Sequence, residues 1–235
     1  MIKCVLFDLD RTLLYMDQEA FTKAYLGEIG EFMAKYGYEP VRLAKTIMSS
    51  TFEMVANDGA NTNYTVFWSA FSRAYGESSL ADKPRFDKFY IKRFDCLESS
   101  CGRIAGAVEA VSAIRAMGLK TVLASNPVFP KIAMEKRAVW AGLNPDDFDY
   151  ITSYENSRHC KPNPDYYTEI AEKLNLSPEN CLMVGNDVRE DIVAAKRAGM
   201  KVFLMPEFIL NGGVDLSEYP QGGFDALLEF VRDNK

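Results

Sequence analysis

Cys4-Val5-Leu6-Phe7-Asp8-Leu9-Asp10-Arg11-Thr12 is the stretch on which the reading of this chain turns. Its apolar start reads as a buried strand, and two carboxylates one residue apart at the end cannot follow that strand into a core unpartnered. They belong at an edge or in a site. Acids held this close repel, which leaves two outcomes: a divalent cation between them, or one ionised and one protonated carboxyl group. Both outcomes mean chemistry.

Beyond Thr12 the pattern becomes helical. Asp17 predicts an N-cap for a helix through Phe21, Tyr25, Ile29 and Phe32 that stops at Gly37, and Pro40 opens a second helix, closed by Asn57-Asp58-Gly59. A third helix is expected from about Thr62 to Tyr75 and a fourth after Pro84, with no strand signal between residues 17 and 95. From Gly106 short apolar strands alternate with helices. Helix Ala107 to Met117, strand Lys120 to Ala124 and a helix from Pro130 come first. Strand Asp149 to Thr152 and a helix from Pro164 follow, then strand Cys181 to Val184, helix Val188 to Ala198, strand Lys201 to Met205 and a closing helix Phe224 to Val231. Such alternation predicts an α/β fold: a doubly wound, mostly parallel five-stranded, Rossmann-like sheet with an inserted α-helical cap. The core is expected at residues 1–15 and 100–235, and the cap at 16–99.

The 235 residues suffice for a core of about 150 residues plus an insertion. Apolar content of 48% with 26% charged residues suits a packed globular protein. A net charge of −6 argues against non-specific binding to nucleic acid or anionic membranes. Five scattered cysteines and a single histidine give neither a disulfide framework nor a zinc pattern, and no signal-peptide or spanning segment is evident. A reduced, cytoplasmic protein is expected.

In open parallel sheets ligands bind beyond the carboxyl ends of strands. There this chain places Asp8 and Asp10, then Ser125-Asn126, then Lys161 in a loop, then Gly185-Asn186-Asp187 with Asp191. Acids, a hydroxyl and an ammonium without a histidine base suit magnesium and a phosphate ester. Lys161, Ser125, Asn126 and strand-end amides are expected to hold phosphoryl oxygens.

These four elements, in this order, resemble the motifs of the haloacid dehalogenase superfamily, in its phosphohydrolase branch with an α-helical type 1 cap. The resemblance covers essentially the whole chain. It implies that Asp8 is the nucleophile forming an aspartyl-phosphate, and that Asp10 protonates the leaving alcohol and later deprotonates water. It also implies Mg2+ held by the Asp8 side chain, the Asp10 carbonyl and the Asp187 side chain, with Thr12, Asn186 and Asp191 in support. Asp10 separates this chain from the dehalogenases themselves, which lack that second aspartate. Arg11 stands where glycine is common, and Asn186 where a second acid often occurs.

Simpler roles exist for each residue. Asp187 and Asp191 suit the start of a helix, His159 reads as a loop bystander, and the cysteines as packing residues. The aromatic residues of the insert are expected to form mainly its own bundle core, with a few turned to the substrate. The cap is expected to pivot on linkers Leu14 to Asp17 and Glu98 to Gly102, closing over a small phosphorylated metabolite. A monomer or homodimer is expected, as is a Mg-dependent phosphatase; a phosphomutase, or a non-catalytic binding or regulatory protein on the same fold, are the alternatives.

Overall fold

A computed structural model describes residues 1–235. The chain opens with β1 (Cys4–Phe7), buried throughout, and passes into β2 (Leu14–Met16). Four helices follow, α1 (Gln18–Ala34), α2 (Pro40–Val55), α3 (Asn63–Tyr75) and α4 (Lys83–Lys92), and a 3-10 segment (Phe94–Ser100) leads into β3 (Cys101–Arg103). Alternation then sets in: α5 (Ala107–Ala116), β4 (Lys120–Leu123), α6 (Lys131–Trp140), β5 (Tyr150–Ile151), α7 (Pro164–Lys173) and β6 (Cys181–Gly185). A π-helical turn (Val188–Val193) runs into α8 (Ala194–Arg197), and β7 (Lys201–Leu204) and α9 (Phe224–Asn234) complete the fold.

Local chemistry fixes these boundaries. The Asp17 carboxylate accepts from the Ala20 amide at 2.8 Å, Pro40 sits in the first turn of α2, and Thr62 caps α3 by accepting from the Thr65 amide. Each satisfies or removes an amide that the helix leaves unpaired.

The five-stranded sheet has the order β5-β4-β1-β6-β7, and all its pairings are parallel. β1 lies at the centre, with Val5 opposite Thr121 and Leu182. Its side chains divide by parity. Val5 and Phe7 join an apolar cluster with α5, α6 and α9, while Cys4 and Leu6 join a second one with α7 and the segment around Ile192. A sheet covered on both faces explains why β1 and β6 lack polar alternation.

Three features depart from the sequence expectations. β2 and β3 pair antiparallel across the two linkers, with Tyr15 opposite Gly102, in strands too short to carry a period. The helix expected from Val188 begins instead as a π turn. The insert also lacks a separate core: Phe94 stacks on Trp140 with centroids 5.1 Å apart, and Tyr25 meets Phe129 edge-on at 5.2 Å. One apolar cluster therefore runs from the cap into the α6 side of the sheet. The 3-10 segment causes this by laying Phe94 and Leu97 inward beside α6.

The cap is also tied down away from its linkers. The amides of Asn63 and Tyr64, in the first turn of α3, donate to the carbonyls of Ser157 and Tyr154 at 2.9 and 2.6 Å. The fully buried Asn63 side chain adds longer bonds, at 3.4 Å, to the Pro127 and His159 carbonyls. A cap pivoting on its linkers alone would break this set. No helix is long and apolar enough to cross a membrane.

Candidate active site

β1, β4 and β6 end side by side, so the residues just past them meet without any distortion of the sheet. The Asp8 amide still donates to the Val184 carbonyl at 2.9 Å, so its carboxylate is presented from the last rung of the ladder. Lys161 arrives from the loop before α7. Its ammonium donates to Asp8 Oδ1 at 2.8 Å and to Asp191 Oδ1 at 2.6 Å, and the residue is 1% exposed.

Asp191 fixes the rest of this triad. Its second oxygen accepts the Asp187 amide at 3.0 Å, so one carboxylate orients both Lys161 and the turn after β6. The π turn delivers Asp191 against β6 so closely that a Cβ at Gly185 would lie 2.2 Å from Asp191 Oδ2. Only glycine fits there. The Asp187 carboxylate caps the turn, accepting from the Arg189 and Glu190 amides at 2.9 and 2.8 Å through a single oxygen, Oδ1.

Burial sets the electrostatics. Desolvation pushes the Asp8 carboxyl up to about 7 against the pull of Lys161, with Asp191 and Asp10 adding repulsion. Asp191 is likewise raised by burial, opposed by Lys161. Burial disfavours the Lys161 charge, yet its two carboxylate neighbours hold its pKa well above the ordinary value, so the ammonium stays charged.

The buried Lys161 ammonium is the shared counter-ion of Asp8 and Asp191, both of which border a cavity. That cavity has a volume of about 450 Å³. Asp8, Asp10, Ser125, Asn126, Asn186 and Asp187 all border it, as does Asp191. Ser125 is held through its carbonyl by the Thr152 and Tyr166 hydroxyls, at 2.7 and 2.9 Å. The buried Asn126 Oδ1 has no partner, while the amide nitrogen of that residue makes long bonds to the Lys161 carbonyl and Glu190. Thr12 donates to Asn186 Oδ1 at 3.2 Å, and Asn186 donates to the Phe208 carbonyl at 2.7 Å, so an amide here links two strand ends. Arg11 has φ 61, the left-handed region glycine favours, and its Nε bonds the Met16 carbonyl at 3.2 Å. His159 lies outside the cavity and pairs with Glu169 at 3.3 Å.

Two residues escaped the sequence reading. Arg137, 1% exposed on α6, forms an ion pair with the Asp10 carboxylate. Its signal was an arginine at i+4 from Ala133 and i−4 from Ala141, on the helix face that is otherwise buried and apolar. Glu190 borders the cavity beside Asp187, and burial raises its pKa despite Lys161.

The donor set can be tested against a cation. No group of three or more His, Cys, Asp or Glu side chains is gathered closely enough to hold a metal alone. Five carboxylates (Asp8, Asp10, Asp187, Glu190, Asp191) nonetheless face only three cations (Arg11, Arg137, Lys161), and every donor at the floor is oxygen. An over-acidic pocket of oxygen groups suits a hard divalent ion that keeps several waters.

A family model described as haloacid dehalogenase-like hydrolase matches residues 2–199. The chain is 38% identical over 100 residues to the putative phosphatase YhcW of Bacillus subtilis, covering 42% of this chain and 44% of that protein. It is 24% identical over 220 residues to the bifunctional riboflavin kinase/FMN phosphatase of Arabidopsis thaliana, covering 86% and 48%. The chain thus spans about half the length of the curated relatives it matches. Among solved structures, a 2-haloacid dehalogenase from Pseudomonas syringae superposes with TM-score 0.61 at 18% identity over 100% of both chains. A HAD phosphatase from Thermococcus onnurineus gives 0.58 at 19% over 98% of both. At such identities the likeness is one of fold.

Proposed function

Because the chain belongs to the haloacid dehalogenase-like hydrolases, we propose that it is a Mg2+-dependent phosphatase, acting on a small phosphate monoester through an aspartyl-phosphate on Asp8. One observation carries this reading. A buried carboxylate at the end of β1, oriented by a buried ammonium, opens on a cavity whose far side can hold an alcohol.

Asp8 supplies the attacking oxygen: its bond to phosphorus forms as the bond from phosphorus to the ester oxygen breaks. Lys161 and Asp191 hold the carboxylate in place, so little reorganisation is needed at reaction. Ser125, Asn126 and amides past the strands receive phosphoryl oxygens. The Asp8 and Asp187 carboxylates and the Asp10 carbonyl are the groups that would hold Mg2+, which would supply neutralisation of phosphoryl charge.

Asp10 serves the proton transfers. Its carboxylate is ion-paired with the buried Arg137 guanidinium, and it is the group that would take the proton from water to free the phosphate. Giving a proton to the leaving alcohol requires this carboxyl to take one up first and loosen from Arg137.

Phosphate release from a panel of small monoesters, with Mg2+ and after chelation, tests the reading. Release that requires the metal and falls more than about a thousandfold in Asp8→Asn is expected. Undiminished release by Asp8→Asn would sink the mechanism.

A further inference from the structure

Resting on the phosphatase reading, we infer that the alcohol released is neutral and largely apolar, bearing an aromatic or alkyl group that fills an aromatic chamber under the cap. The cap places no Lys, Arg, Asp or Glu side chain on the cavity. Every charge that borders it belongs to the core side, where the reacting phosphate sits. A carboxylate or second phosphate on the far end of the substrate finds no cation there. Arg11 does border the cavity, but from the core loop, with its Nε engaged by the Met16 carbonyl.

Hydroxyl groups fare little better. The Tyr25 and Tyr90 hydroxyls bond each other at 2.7 Å, and Thr51 donates to the Ile47 carbonyl at 2.9 Å. Gln18 and Thr22, both on α1, and the unpartnered Trp68 indole N–H are the other polar groups the cap brings to the cavity. A polyhydroxylated alcohol would lose most of its water without replacing those bonds. Phe67, Trp68 and Phe86 instead offer ring faces and edges, packed on one another with centroids 5.3 Å apart for the Phe67–Trp68 and Trp68–Phe86 pairs.

A second observation comes from the mouth. Phe52 on α2 is 65% exposed and Val55, one turn on, is exposed as well, while Leu210 contributes an exposed apolar side chain from the core lip. Scattered apolar residues on a surface mean nothing. Three that rim one cavity, continuous with an aromatic interior, form an entry path for an apolar group.

The test compares esters of primary alcohols, so that the leaving groups are similarly basic: 2-phenylethyl phosphate against glycerol 3-phosphate and phosphoglycolate. The chamber predicts that kcat/KM for the phenylethyl ester exceeds the others by at least about a hundredfold. Phe52→Asp, at an exposed position on a helix, should narrow that ratio at least about tenfold. An equal or reversed preference, with release that still depends on Asp8, overturns the chamber and leaves the phosphatase reading standing. A ratio that Phe52→Asp does not alter also overturns it. Release from no ester at all removes both.

Discussion

Two walls face each other across one cavity, and they are built by opposite rules. On the core side Lys161 is shared by Asp8 and Asp191, Arg137 pairs with Asp10, and Asp187 binds two amides, so buried charges are organised by fixed partners. On the cap side Phe67, Trp68 and Phe86 line the cavity and pack ring against ring with the buried Phe71, with no charge among the lining side chains. The first wall is specified pair by pair and fails when one partner is removed. The second is specified by volume and tolerates exchange of one apolar group for another of similar size.

The largest break in that contrast should come from Lys161→Met. It strands two carboxylates in a buried setting, a change of about 3–5 kcal/mol, and it also frees Asp8 to turn away from its attacking position. Urea denaturation should show the loss of stability, and phosphate release should fall with it. Phe71→Ala, which opens a hole in the cap cluster, should cost a similar or slightly smaller amount, about 3–5 kcal/mol. Phe71→Leu should recover most of that stability, whereas Lys161→Arg should not rescue turnover, because the guanidinium is a planar fork rather than a point charge. Equal tolerance at the two positions would erase the distinction.

A smaller effect is expected from pH. In the metal-free protein Asp8 has its pKa raised to about 7, against an ordinary carboxylate value in the unfolded chain. The folded state therefore binds the proton more tightly than the unfolded state. Stability should fall as pH rises from the ordinary carboxylate range through about 7, and return as pH falls. Denaturation in chelator across that window should show the slope, and Asp8→Asn should flatten it. A slope of the same size in Asp8→Asn would place its origin elsewhere.

The strand ends were legible in the sequence because an apolar run that stops at a polar or acidic group leaves few physical options, and Asp8, Ser125 and Asp187 all follow such runs. Helix starts were legible for the same kind of local reason, as Asp17, Pro40 and Thr62 show. Arg137 was not, since its partner Asp10 lies 127 positions away and only folding brings them together. The burial of Lys161 with its two acids was hidden too: a lysine before proline reads as an exposed loop residue until Asp191 is placed. The tie at the start of α3 uses mainly backbone groups, which carry no side-chain signature at all.

That tie makes the protein its own recorder. Because the amides of Asn63 and Tyr64 are closed off by Ser157 and Tyr154, their hydrogens exchange with deuterium only when the cap lifts from the core or the α3 terminus melts. Exchange at these two positions, timed with and without a phosphate ester, therefore measures how often the lid leaves its seat and whether a ligand keeps it there.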